Sequence, residues 1–548
     1  MSPPDSMNKP VSSPSETPRR SSSLSFNGEK TQDFDSPDSG TSPSSRSFAD
    51  VEAQTPNASG QASQDPEPVW PTEWRAYACL FGGFLLMFNS WGLVNAYGTF
   101  ASYYKQHLLP GRDAVMMNLV GSTQSFVVLV LSFVVGRVLD AGHTRSLIAA
   151  GAFLVTFGTS MLSISNGDAQ YNGGNYGLVW LTQGFISGLG MACFFVSSSQ
   201  VVATWFKQRK GFAIGVVASG ASIAGLIYPM MTKFLITEVG FNDAVRYVAT
   251  LIGVTSTLAV FIARPKPTHH FRKPESWARL SVWVDMDAFR TPAFNWFTAA
   301  ICFMFFGFYA VFFNLEKWAA AAGFGYKDQT PAAMDIGLQL EVPKDAIRTF
   351  WLLSIMNAAS TLGRLSSAYL ADHFGALNVH TIVTLIASML ILVLWILTTK
   401  LAAAIAFVVV FGVFSGSVIG MPPASMAYIL GHCPHAQARL GQWTGMMYSI
   451  SAVFALTGPV IAGHLVDAFG NGSDFLSAQI WSGICLFLSA CCMAVAAMYA
   501  RRGDQGPDFS NALSSTSDTA QVRGSVPISG TETNATDKEN ENGITRTS

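Results

Sequence analysis

Between about residues 71 and 500 the chain is built from long apolar runs separated by short polar breaks. The runs lie at about 76–100, 115–136, 145–165, 176–203, 211–232, 245–263, 293–315, 349–371, 379–399, 401–422, 441–466 and 475–500. A helix rises about 1.5 Å per residue, so some twenty apolar residues cross the roughly 30 Å hydrocarbon layer of a bilayer. A soluble core of this size would instead alternate apolar and polar positions at helix or strand period. The pattern therefore predicts an all-α membrane protein with twelve transmembrane helices. The run at 176–203 is long enough to tilt or to overshoot the bilayer. The first run begins near Arg75 after a polar stretch without the pattern of a signal peptide, so it is expected to remain as a span.

Composition sharpens this picture where it is uneven. Of the 548 residues, 49% are apolar and only 12% charged, with a formal net charge of -1. Residues 1–70 and 501–548 are rich in polar residues and hold too few apolar side chains to offset the entropy of ordering them, so both are read as disordered tails. Ser13-Pro14, Thr17-Pro18, Ser36-Pro37, Ser42-Pro43, Thr55-Pro56 and Arg19-Arg20-Ser21-Ser22 make the first tail a candidate substrate for kinases; chance matches in a solvated tail are the alternative. The balanced charge excludes a nucleic-acid partner. Six of the seven cysteines sit within apolar runs, Cys433 lies in a loop, and no metal-ligand spacing occurs, so neither a disulfide framework nor a metal site is expected. With the N-terminus inside, fifteen Lys and Arg fall on inner connections and nine on outer ones, which places both tails in the cytosol. A plasma-membrane location is the default expectation. Asn471-Gly472-Ser473 falls in an outer loop so short that glycosylation there is disfavoured.

The longest inner connection, 264–292, divides the body into six-helix halves at 71–263 and 293–500. The halves echo each other. Gly136-Arg137-Val138-Leu139-Asp140-Ala141-Gly142 closes the second run, and Ala368-Tyr369-Leu370-Ala371-Asp372-His373-Phe374-Gly375 closes the eighth, with the two Asp residues 232 positions apart. Each Asp stands at the inner end of a helix, where it can accept bonds from basic groups or from a neighbouring helix N-terminus. Asp140 and Asp372 are therefore candidate gating residues, with Arg137 and Arg145 as local partners of Asp140.

Arg364, in Asn357-Ala358-Ala359-Ser360-Thr361-Leu362-Gly363-Arg364, lies inside an apolar run about two turns from its inner end. A guanidinium in hydrocarbon is costly, so it faces a pore or a partner, or snorkels to the inner headgroups. In a pore its planar fork suits a carboxylate. Further polar residues in apolar runs are Asn89, Asn95, Gln200, Asn314, Asn357, Ser360, Ser415, Ser417 and Tyr448, with Trp91 and Phe414 as candidate pocket walls. Neighbouring helices can satisfy such groups without any substrate. Gly211, Gly215, Ser219 and Ser222 recur at helical spacing after the cationic stretch Lys207-Gln208-Arg209-Lys210, as close helix packing requires.

The stretch from Trp205 to Gly225 resembles the monocarboxylate porter family of the major facilitator superfamily, fungal branch. Phe206, Lys207, Lys210, Ala213, Gly215 and Gly220 match the family pattern, while Phe212, Val217 and Ser219 depart from it. Phe88-Asn89-Ser90-Trp91-Gly92-Leu93-Val94-Asn95 and Gly458-Pro459-Val460-Ile461-Ala462-Gly463 with Asp467 add to the resemblance, which covers about residues 71–500. It implies two pseudo-symmetric six-helix domains around a central cavity and proton-linked or facilitative movement of small carboxylates by alternating access. Three departures bear on that chemistry. Thr72-Glu73-Trp74 replaces the acidic-Gly-Gly entry, Asn95 aligns with a substrate-binding Lys, and Ser360 aligns with an Asp.

The expected function is thus secondary active or facilitative transport of a small organic anion. Arg364 would hold its charge, and Asn95, Trp91, Asn357, Ser360, Phe414 and Tyr448 would shape the rest of the site. Export of a bulkier fungal metabolite is the alternative, and a non-transporting nutrient sensor is a weaker one. No cofactor is implied; the partners are the small-molecule substrate, the bilayer and possible coupling protons. An enzyme is disfavoured because no run contains a convincing His/Asp/Glu cluster. No G-x-x-x-x-G-K-[ST] loop occurs, which points to a gradient as the energy source.

Overall fold

The computed structural model describes residues 70–504 except 111, 113, 165–171, 270, 275, 327–346, 349, 432–433 and 471–473. Both tails with their candidate phosphorylation sites, Cys433 and Asn471 lie outside the described residues, apart from Trp70 and the last turn of the final helix.

Twelve long helices correspond one for one to the apolar runs. In the first half they are α1 (Trp74–Asn89, continuing as Trp91–Tyr103), α2 (Ala114–Val130, continuing as Ser132–Asp140), α3 (Thr144–Leu162), α4 (Tyr176–Val179, Trp180–Ile186 and Ser187–Ala203), α5 (Lys210–Val239) and α6 (Phe241–Ile262). In the second half they are α7 (Pro292–Ala321), α8 (Phe350–Phe374), α9 (Ala376–Met389, continuing as Leu390–Trp395), α10 (Leu401–Gly420), α11 (Leu440–Gly470) and α12 (Leu476–Asp504). Eleven of them are long and apolar enough to cross a membrane. The exception, α8, is 25 residues long and owes its lower hydropathy to its Ser residues, Arg364 and Asp372. Large apolar side chains on outward faces stay exposed, among them Phe153 (67%) and Leu397 (69%), as a bilayer solvent requires.

The repeat inferred from the two Asp-containing loops runs deeper in three dimensions. Pro229 interrupts α5 and Pro459 interrupts α11, each nineteen residues past the first residue of its helix. Gly142 after α2 and Gly375 after α8 both adopt positive φ (92° and 85°), so both turns need glycine although one loop is a residue shorter. Two short helices, Leu280–Trp283 and Met286–Arg290, lie in the connection between the halves. The start of α1, the end of α2, the start of α5 and this connection share one side of the bundle, termed the entry face below.

The halves meet along two equivalent seams, α2 against α11 and α5 against α8. Close approach there depends on missing side chains. A Cβ on Gly445 would run into the Ser132 carbonyl, and one on Gly136 into the Gly441 carbonyl. Across the other seam a Cβ on Gly215 would meet the Ala368 side chain and the Arg364 carbonyl. The stripe on α5 thus has a counterpart on α11 at Gly441, Gly445 and Ser449. Ser449 Oγ lies 2.9 Å from the Val130 carbonyl of α2, and Ser222 Oγ lies 2.6 Å from Ser360 Oγ of α8.

This packing makes a graded prediction. Gly445→Val should lower the thermal midpoint by several degrees, since overpacking costs about 1–3 kcal/mol. Gly463→Ala, on the same helix but facing open space, should leave it unchanged or raise it slightly. A thermal-shift assay in detergent or nanodiscs checks both.

Candidate functional site

Between the seams, at mid-depth, side chains from both halves converge on a closed chamber. α1 contributes Trp91 and Asn95, α4 Phe195, α7 Phe305 and Tyr309, α8 Asn357, Ser360 and Arg364, α10 Ser415 and α11 Tyr448. Its free space is only about 40 Å³. Pockets for drug-sized ligands measure roughly 300–1,000 Å³. In this state the chamber is therefore packed on its own walls.

Five aromatic rings form a closed cycle around it. Phe195 lies 4.7 Å from Tyr448, Tyr448 6.3 Å from Phe305, Phe305 5.9 Å from Tyr309, Tyr309 5.9 Å from Trp91, and Trp91 5.4 Å from Phe195, measured between ring centroids. Trp91 and Phe195 belong to the first half and the other three to the second, so two links of the cycle cross the halves. The Trp91–Tyr309 pair is nearly parallel, at 15°. Parting the halves opens this cage, and a flat apolar body can then exchange ring contacts with it.

Among the described residues, Arg364 provides the only cationic side chain lining the chamber. It is 7% exposed and crosses the α5–α8 seam, where Nη1 donates to the Ala218 carbonyl. Its Nε is buried with no hydrogen-bond partner, as is the hydroxyl of Tyr309. A buried donor without an acceptor is costly, and an anionic oxygen is the group that offsets it best. The amides around Arg364 are held locally: Asn357 Nδ2 donates to Leu353 O (3.2 Å) and Asn95 Nδ2 to Ala221 O (3.4 Å). Both press on Gly225, where a Cβ would lie 3.0 Å from Asn95 Nδ2 and 3.1 Å from Asn357 Cγ.

The structure thus brings together Arg364, Asn95, Trp91, Asn357, Ser360 and Tyr448, and adds Phe195, Phe305 and Tyr309, which no sequence signal singles out. Phe414 is a correction. It is half-buried against the core and does not line the chamber, because the α10 face turned inward carries Ser415, Gly416 and Ile419. Asn89 serves the interior of the first half, donating to Thr255 Oγ1 (2.9 Å) and accepting from Tyr228 OH (2.7 Å). Asn314 bonds its own helix at Ala310 O, and Ser417 bonds Gly363 O. Gln200 lies nearer the entry face and donates to Thr444 Oγ1 at 3.3 Å.

On the entry face the two repeated Asp residues close the seams in matching fashion. Asp372 accepts the Gly211 and Phe212 N–H groups (2.7 and 2.9 Å) at the start of α5. Asp140 accepts those of Gly441 and Gln442 (3.2 and 2.7 Å) at the start of α11. Each carboxylate belongs to one half and caps a helix of the other, satisfying donors that have no partner within their own helix. One of the two side-chain partners expected for Asp140 is corrected here. Arg145 is exposed and lies over the Phe261 ring (5.9 Å), on the far side of its helix. Arg137 does lie close enough to Asp140 for their charges to attract, while it donates Nε to Val282 O and Nη1 to Arg272 O, both 2.9 Å, gripping the connection between the halves. That connection also holds α11: the Asp285 carboxylate lies 3.2 Å from Arg439 Nη1 and accepts Trp443 Nε1–H at 3.1 Å.

The family model described as Major Facilitator Superfamily matches residues 79–439. The MFS-type transporter dbaD of Emericella nidulans is 31% identical over 409 residues, covering 75% of this chain and 83% of that protein. The aspyridones efflux protein apdF of the same organism is 29% identical over 410 residues, 74% of each chain. The crystal structure of the human organic anion transporter MFSD10 is 12% identical with a TM-score of 0.57, covering 77% of this chain and 100% of that one, which bears on fold alone.

The paired caps predict a measurable gate. A helix cap is worth about 1 kcal/mol, so removing both should favour the open form by roughly tenfold or more. With Ser360→Cys as reporter in a background without other cysteines, Asp140→Ala combined with Asp372→Ala should speed labelling by an impermeant maleimide from the entry face by that factor. Each single variant should give a smaller increase.

Proposed function

The chain belongs to the major facilitator superfamily of membrane transporters, and on that premise we propose that it exports a bulky, largely aromatic organic anion. The observation that carries the proposal is the five-ring cage closed around a chamber whose only cationic side chain among the described residues is Arg364. Rings supply contact area suited to a flat scaffold, and the guanidinium supplies a partner for one acidic group. The efflux named for one relative supports outward movement in preference to uptake of a small carboxylate. The replacements at Asn95 and Ser360 point the same way, since they thin the charges that a small, highly polar acid would need.

In this reading the entry face is cytosolic, both tails lie in the cytosol, and the protein works in the plasma membrane. Residues 71–263 and 293–500 rock as two bodies joined by 264–292 around the midplane chamber. Asp140 and Asp372 latch the cytosolic side, so the cage empties outward while they hold and fills from the cytosol once they break. A proton gradient drives the cycle, and kinases acting on the first tail set trafficking or turnover.

An untargeted comparison of metabolites inside and outside cells lacking the protein tests the proposal. We expect an acidic aromatic compound to accumulate inside, and restored wild-type protein to clear it. Arg364→Lys should clear it at no more than about a tenth of that rate, because a point charge cannot replace the planar fork. Depletion of a compound from the cells, in place of retention, would overturn the direction. Unaltered export by Arg364→Lys would overturn the anion role.

A further inference from the structure

Tyr309 carries two features that act on a ligand in different ways. Its ring belongs to the aromatic cage and stacks on Trp91 across the halves at 5.9 Å. Its hydroxyl is buried and has no acceptor within the protein. The surroundings explain why. On its own helix Tyr309 is flanked by the rings of Phe305, Phe308, Phe312 and Phe313, at 5.9, 5.5, 6.4 and 6.2 Å, and none of these side chains offers an oxygen. A hydroxyl kept in such a place costs free energy that a phenylalanine at the same position would not.

Arg364 repeats the pattern on α8. The Ala218 carbonyl takes Nη1, while Nε has no acceptor within the protein. Both residues line the chamber, each is 7% exposed, and Arg364 lies close enough for its charge to act on the Tyr309 hydroxyl. Other polar groups of the lining are satisfied nearby: Ser360 Oγ donates to Asn357 O at 2.8 Å and Ser415 Oγ to Gly412 O at 2.9 Å. Among the described residues the lining holds no carboxylate. The free space of about 40 Å³ has room for a water molecule or two, which the oxygens of an acid group replace.

The geometry points to Tyr309 as the residue that reads the acid group of the ligand. Its hydroxyl and Arg364 Nε donate to one carboxylate, while its ring keeps contact with the flat part of the same molecule. Because ring and donor belong to one side chain, the class of ligand is an aromatic carboxylate with its acid group at the edge of the ring system. This role rests on the reading above only in taking the ligand of the chamber to be an aromatic anion; the direction of transport does not enter.

The test separates hydroxyl from ring. The full chain in phosphatidylcholine nanodiscs carries Ser360→Cys in a background without other cysteines, and a ligand in the chamber shields that thiol from an impermeant maleimide. The probes are β-naphthoate and its neutral counterpart, β-naphthalenemethanol. In this reporter protein β-naphthoate should protect at concentrations at least about tenfold lower than the alcohol. Tyr309→Phe should narrow that preference about fivefold or more, since a hydrogen bond to a charged group is worth roughly twice one to a neutral group. Phe305→Leu, which removes a ring of the cage and no donor, should weaken both probes by similar factors. Without ligand, Tyr309→Phe should leave the thermal midpoint unchanged or raise it by about 1 °C, because it removes a buried donor that no protein group satisfies.

An unchanged preference in Tyr309→Phe would overturn the role of the hydroxyl. A Tyr309→Phe protein that fails to fold, or melts several degrees lower, would also overturn it, since the hydroxyl would then be structural. Equal protection by acid and alcohol in the reporter protein itself would remove the anion reading, and this role with it. A preference present in the reporter and intact in Tyr309→Phe would remove this role alone and leave the anion reading standing.

Discussion

A carboxylate on one half capping a helix that begins in the other is the contact on which this architecture turns. Asp140 and Asp372 each take two backbone donors that their own helices cannot satisfy. The strength of this contact suits a reversible closure. Each cap contributes about 1 kcal/mol, enough together to bias a two-state equilibrium and small enough for a ligand or an ion to reverse it. Because the donors are main-chain groups, the contact also fixes helix position to within a fraction of an ångström. The glycines at Gly211 and Gly441 leave room for the carboxylates to arrive.

Above the caps, in the proposed reading, the chamber closes around a ligand. Its aromatic residues are distributed over four helices and both halves, so the rings separate as the halves do and re-form their contacts on whatever lies between them. The unpartnered Nε of Arg364 and hydroxyl of Tyr309 are tolerable in a resting state only because few such groups are left at once. Binding energy from the rings and relief of these two donors then act together.

Much of this was readable in the amino-acid pattern, for definite reasons. Twelve runs translate into twelve helices because apolar length is a property of composition along the chain, and Asp140 and Asp372 announce themselves by recurring at helix ends. Of the partners of Asp140, the Arg137 charge is readable and the capped helix is not, because backbone N–H groups of α11 carry no residue identity; Arg145, the other nearby charge, turns to the Phe261 ring. Tyr448 is readable as a polar group in an apolar run and Trp91 as a flat ring beside Asn89 and Asn95, whereas Phe195, Phe305 and Tyr309 lie in helices apolar on every side, where no periodicity reveals which face turns inward. The outward turn of Phe414 is hidden by the same lack of phase. The small-residue stripe on α5 was visible, yet its counterpart at Gly441, Gly445 and Ser449 acquires meaning only once α11 is seen against α2.

The connection between the halves breaks the symmetry that the caps obey. Arg137 holds its carbonyls at Arg272 and Val282, and Asp285 holds Arg439 and Trp443, so the strap is tied to both members of the α2–α11 seam. The α5–α8 seam is instead bridged directly, with Arg209 Nη1 2.9 Å from His373 Nε2 and its guanidinium over the Tyr369 ring. In the proposed rocking motion the strapped seam would be the pivot and the α5–α8 seam the side that parts, like a shell with one ligament. A wedge opening in that way would be broadest beside Arg364, whose side chain spans the α5–α8 seam.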